Sequence, residues 1–164
     1  MDSSIFDDTR PYFDSEIPAA IERVSESSYF PMIVKYLFPD ADLQSFISEF
    51  RNIKTISEFQ YKIMYKTIRA ILSTTSSGLT SSGFEKICNE RKSMFIANHR
   101  DILLDSAILQ ILLRDNNLDT SEITFGSNLM TNPLIIDIGK MNKMFKIVRG
   151  GNIRDFYRNS VHVS

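Results

Sequence analysis

Ser93-Met94-Phe95-Ile96-Ala97-Asn98-His99-Arg100-Asp101-Ile102-Leu103-Leu104-Asp105-Ser106 is the stretch on which the fold turns. Its short apolar run, 94–97, reads as a buried strand that delivers Asn98 and His99 to the end of a sheet. Asp101 then has the character of a helix N-cap, and Asp105 follows one turn into that helix. A strand–His–helix corner of this kind sets an imidazole beside a carboxylate. The ring accepts a proton near neutral pH because its ordinary pKa is about 6.5. A carboxylate on its other nitrogen holds one tautomer and stabilises the cation. A lone histidine is more often satisfied by backbone, so the acidic neighbour is what sharpens the expectation.

Toward the N-terminus the chain reads as helices. Residues 1–14 form a polar, aperiodic arm, expected to be poorly ordered. Ser15 can cap a helix in which Ile17, Ala20, Ile21 and Val24 share a stripe, with Pro18 tolerated in its first turn. A second helix starts near Pro31 and is stopped by Pro39. Asp40 or Asp42 caps a third, with Leu43, Phe46, Ile47 and Phe50 on one face. Thr55-Ile56-Ser57-Glu58 has capping-box spacing and opens a longer fourth helix, striped by Phe59, Ile63, Ile68, Ile71 and Leu72. Together these predict a helical lobe over 15–76.

The Ser/Thr/Gly-rich run 73–83 breaks the pattern and marks the boundary. Beyond it the elements alternate: strand 94–97, helix 102–113, strand 122–126, helix 133–139 opened by Pro133 and closed by Gly139, and strand 145–149. Asn152 can cap a last helix. This order predicts an α/β fold in which the N-terminal helical lobe is followed by a three-layer α/β domain with a largely parallel sheet, over 83–164. Val161-His162-Val163-Ser164 carries no stop signal, and a sheet of only three strands is thin for this architecture. The domain is therefore expected to be incomplete, or truncated, at its C-terminal end.

Nineteen basic and 20 acidic residues leave a net charge of −1, so no global field recruits nucleic acid. One cysteine, Cys88, excludes an internal disulfide and suits a reducing compartment; it reads as a half-buried structural thiol. With two histidines and one thiol, no metal site and no cofactor are expected. No apolar run approaches the roughly 18 to 20 residues needed to span a bilayer. The arm lacks the basic-then-apolar pattern of a secretory signal, so the expected location is cytoplasmic, with peripheral membrane contact open.

Asn98-His99-Arg100-Asp101-Ile102-Leu103-Leu104-Asp105 resembles the first motif of the glycerol-3-phosphate and 1-acylglycerol-3-phosphate acyltransferase superfamily, the glycerolipid acyltransferases. The similarity continues through Phe125-Gly126-Ser127-Asn128-Leu129-Met130 and Pro133-Leu134. It ends at Met144-Phe145-Lys146-Ile147-Val148-Arg149, which looks like the family's second motif. The resemblance implies that 83–164 is an acyltransferase-like domain and that His99 is the base. It would deprotonate a hydroxyl of glycerol 3-phosphate or a lysophospholipid for attack on the thioester of acyl-CoA or acyl-carrier protein. No serine or cysteine nucleophile is needed. Asn98 and Arg100 beside the histidine, and Arg149 with Gly150, would bind substrate, Arg149 on the phosphate or polar head.

Lys140, Lys143, Lys146, Arg149, Arg154 and Arg158 stand against Asp155 alone between 140 and 158, and guanidinium forks suit phosphate. Charge runs are ordinarily solvated faces, which remains open for the lysines. Met130, Met141 and Met144 suit either an acyl groove or core filling. The family places four residues between His and Asp; here five intervene and Leu104 holds the expected place. Either a bulge restores Asp105 or Asp101 takes its role. The family's third motif, a Pro-Glu-Gly-type segment, has no match up to Ser164, so weak or no turnover is expected of a chain ending there. The alternative is a non-catalytic lipid-binding or protein-interaction module built on an inactive acyltransferase scaffold.

Overall fold

The computed structural model describes residues 7–98 and 100–147. The expectations for His99, Arg149, Gly150 and the helix from Asn152 therefore lie outside the described residues. Two compact units divide the chain: one takes in Met1–Gln60 with Glu122–Ser164, the other Tyr61–Ser121. The boundary expected at 73–83 does not coincide with this division. The reason lies in the first unit, where the first helix packs on a helix more than a hundred residues away.

The stripe Ile17, Ala20, Ile21 and Val24 is buried along α1 (Ile17–Glu26), whose Pro18 sits in the first turn, where its missing N–H breaks no bond. Ser15 is not its cap; Asp14–Glu16 is a 3-10 turn leading into the helix. Next come α2 (Phe30–Leu37) and α3 (Leu43–Arg51). Asp42 caps α3 by accepting the Ser45 N–H at 2.8 Å, a bond that holds its carboxyl below the usual range. Phe50 stands at the centre of the aromatic core, with Phe30 at 4.7 Å between ring centroids and Phe46 and Phe59 each at 6.4 Å. Thr55 caps α4 (Ile56–Phe59) through the Glu58 N–H at 3.1 Å. The reciprocal arm from Glu58 lands on the Lys54 N–H at 2.8 Å, one residue before the cap. The long fourth helix is interrupted: Gln60–Tyr65 is a π-helical turn between α4 and α5 (Lys66–Thr75).

In the same unit, β1 (Ile123–Gly126), α7 (Pro133–Met141) and β2 (Met144–Ile147) form a β-α-β unit. Its strands are parallel, with Ile123 opposite Met144 and Gly126 opposite Ile147. The described fold is mostly helical with this two-stranded parallel sheet, a mixed α/β class. Gly139 does not close α7 but lies inside it. A Cβ there would come within 3.2 Å of the Met130 terminal methyl and 3.5 Å of the Met144 sulfur. Met130 and Met141 are buried, so these methionines fill core.

The expected poorly ordered arm is, from Asp7 onward, a packed strap on α7 and β2. Thr9 is buried, and its carbonyl accepts the Lys146 N–H at 2.8 Å. The Tyr12 N–H donates to the Lys140 carbonyl at 3.2 Å. The Tyr12 hydroxyl donates to Asp137 Oδ1 at 2.6 Å. From α1, Arg23 clamps both oxygens of the same carboxylate, Nε at 2.9 Å and Nη2 at 2.6 Å. Asp137 is itself buried, so the fork answers a charge that water cannot reach.

The second unit contains α5 and α6 (Leu104–Asp115), with the long connection between them. Tyr65 and Arg69 from α5 meet the Asp115 carboxylate, and Arg114 lies over the Tyr61 ring at 4.6 Å. Asn117, at φ 56°, ends α6, with the Leu118 N–H returning to the Leu113 carbonyl at 2.9 Å. The strand expected at 94–97 is not one. That run makes no sheet ladder and lies exposed, Met94 at 83% and Ile96 at 86%. Four apolar residues need a hydrogen-bonded neighbour to become a strand, and no described strand pairs with them.

Asp137→Asn should cost about 2 to 3 kcal/mol, read by urea unfolding, because it strips the charge from a buried pair while keeping its shape. Burial first, and then the bond to Asp137, pushes the Tyr12 phenol from its ordinary 10.0 to about 12. A raised phenol pKa means that the folded state retains the proton longer, so this contribution is whole below pH 10 and lost toward pH 12. Burial pushes Lys140 the opposite way in every variant that keeps it. The test is therefore a difference: the melting-temperature gap between wild type and Tyr12→Phe should narrow as pH rises from about 10 to about 12.

Candidate functional site

The corner before α6 is built by two carboxylates that exchange backbone amides. Asp101 Oδ1 accepts from the Leu103 N–H at 2.9 Å and the Leu104 N–H at 2.8 Å, which is the work of an N-cap. Asp105 Oδ2 reaches back to accept from the Arg100 N–H at 2.6 Å and the Asp101 N–H at 2.8 Å. The Asp105 N–H completes the turn on the Asp101 carbonyl at 3.4 Å. The result resembles a capping box with its acid one residue later than usual. It absorbs the extra residue noted in the sequence: the turn at 101–103 precedes the helix, and Asp105 in the helix's first turn still returns to the two amides after position 99.

Burial grades across the corner. Asn98, Arg100, Asp101, Ile102 and Leu103 are exposed, whereas Asp105 is half-buried. The sheet mouth expected around this histidine is thus, among the described residues, an open turn rather than a buried strand end. Asn89 steadies the connection upstream by donating to the Asn117 carbonyl at 3.3 Å and accepting the Asp119 N–H at 2.8 Å. Cys88 is a half-buried free thiol. Thr67 Oγ1, also in this unit, is buried with no hydrogen-bond partner among the described residues.

The expected basic face lies in the other unit and is largely used up by the fold. Lys140 is buried, its Nζ donating to the Asp7 carbonyl at 2.6 Å, and burial lowers its pKa. Lys146 pairs with Asp8 at 3.4 Å. Lys143 adopts a left-handed φ of 58° in the turn between α7 and β2. These lysines are therefore not simply a solvated face.

Sequence reasoning missed the Tyr12–Asp137–Arg23 cluster. A signal was present: Asp137 is the lone acid in Pro133-Leu134-Ile135-Ile136-Asp137-Ile138, and a carboxylate in so apolar a helix calls for a buried partner. The partners themselves were not legible, since they come from 114 and 125 residues away.

No helix among the described residues is long and apolar enough to cross a membrane. No protein-family model matches the chain, and neither a curated protein nor a solved structure matches it.

Proposed function

We propose that the chain is an acyltransferase that moves a fatty acyl group from acyl-CoA or acyl-carrier protein to a hydroxyl of glycerol 3-phosphate or a lysophospholipid. It would act in the cytoplasm or peripherally on the inner membrane face. His99 is the base, and Asp105 is the positioning residue that orients it. Asn98, Arg100, Arg149 and Gly150 form the substrate-binding set, with Arg149 on the acceptor's phosphate. The reading carries with it a three-layer α/β acyltransferase-like domain, to which β1–α7–β2 would belong. The observation that supports it most is the division of labour between the acids. Asp101 is spent on the Leu103 and Leu104 amides, whereas Asp105 is bonded to the two amides that follow position 99.

In the proposed step the imidazole takes the proton of the acceptor hydroxyl as its oxygen attacks the thioester carbonyl. The thiolate of coenzyme A or of the carrier protein leaves, and the imidazolium returns the proton to it. The new bond is an ester and the broken one a thioester, so no oxidant or metal is required. A second reading, a non-catalytic lipid-binding or interaction module, draws support from the exposure of Met94 and Ile96 beside the corner.

Thiol release with acyl-CoA or acyl-carrier protein, offered with glycerol 3-phosphate or lysophosphatidate, tests the reaction. His99→Ala should lower kcat by about 10² to 10⁴ with an unchanged circular dichroism spectrum. No thiol release from the wild-type chain, or full turnover in that variant, would favour the second reading. Asp101→Asn should leave the rate within about twofold, because asparagine caps as well as aspartate. Asp105→Asn should lower kcat by about 10-fold or more and shift the acidic limb of the pH–rate profile to lower pH, because the imidazolium loses its stabilising charge. The reverse order of the two variants would move the orienting role to Asp101.

A further inference from the structure

Helix α2 is apolar on both sides. Phe30 and Val34 are buried, and the Phe30 ring lies 6.2 Å from Phe46 and 4.7 Å from Phe50, which seats the helix firmly. Its outer face carries Tyr29, 55% exposed, Met32, 64%, and Tyr36, 84%. Their spacing of three and then four residues puts them on one line along the helix. Lys35 is exposed beside that line, and no acidic residue occurs between Ser27 and Pro39. The neighbouring helices present a different surface. Glu22 and Glu26 on α1, and Glu49 and Arg51 on α3, are exposed charges of the kind that faces water.

We propose that this outer face of α2 docks the chain on an anionic phospholipid surface. Tyrosine suits such an interface, since its ring enters the acyl boundary while its hydroxyl stays among the headgroups. Methionine between the two rings adapts to disordered chains. Lys35 gives the face its only formal charge, positive on a chain of net −1, and no carboxylate lies there to repel lipid phosphate. The choice of lipid over a protein partner rests on the acyl-transfer reading, whose thioester donors and lysophospholipid acceptors gather at membranes.

The test is co-sedimentation of the full chain with phosphatidylglycerol-rich vesicles. Met32→Glu/Tyr36→Glu should weaken binding by at least about tenfold, and Lys35→Glu by about fivefold on these vesicles. Leu79→Glu, an exposed apolar position outside α2, should bind as wild type does. Tyr36→Ser repeats the measurement should the double variant lose its helical signal. Absence of sedimentation overturns the proposal, as does sedimentation indifferent to the α2 substitutions. A dimer seen by light scattering and dissolved by those substitutions assigns the face to a second copy and also overturns it. His99→Ala should sediment like wild type, so failure of the transfer assay with intact sedimentation removes the proposed chemistry and leaves the docking face standing.

Discussion

A carboxylate inside an apolar helix must be answered by the chain, and the first unit is arranged around that demand. Asp137 rises from the middle of α7, where neighbouring isoleucines serve the core and water cannot reach it. Arg23 brings α1 to it with two donors, and Tyr12 brings the N-terminal strap with a third. One acid thus joins three parts of the chain that local propensity would leave independent. Removing its charge would leave a cation and a phenol shaped around nothing, which is why such pairs, once built, are costly to break.

The strap belongs to the same account. Its backbone meets β2 at Thr9 and α7 at Tyr12, while Asp7 and Asp8 engage Lys140 and Lys146. A two-stranded sheet has little stability of its own. Here one strand is covered along its second edge, and the helix above is pinned from both sides. The basic run that invites a phosphate reading is for this reason partly an internal matter, with two of its lysines already committed to the strap.

At the corner before α6 the controlling quantity is the supply of backbone amides. A helix start leaves its first N–H groups without partners, and acids placed nearby are drawn to them. Two aspartates compete for that position, and they settle by dividing the amides, Asp101 taking those ahead of it and Asp105 those behind. The extra residue relative to the acyltransferase motif is accommodated without displacing the second acid from the turn.

Local rules written in the sequence carry the helices well. The stripe of α1, the prolines around α2, the Asp42 and Thr55 caps, and the β1–α7–β2 order are each consequences of side-chain spacing or of one cap residue, and each stands where expected. What fails are readings whose outcome depends on a distant partner. Residues 94–97 have the composition of a strand but no described neighbour to hydrogen-bond, so composition alone does not make them one. Gly139 reads as a helix stop because glycine usually is one. Only packing against Met130 and Met144 reveals that it was chosen for lack of a side chain. The polar arm reads as loose until Asp137 supplies the charge that Tyr12 and Arg23 are placed to answer. Sequence alone determined the caps, stripes and element order, because those energies act within a few residues. Tertiary structure decided which strand forms, which lysines are spent and how the N-terminus is held, because those energies come from groups more than a hundred positions apart.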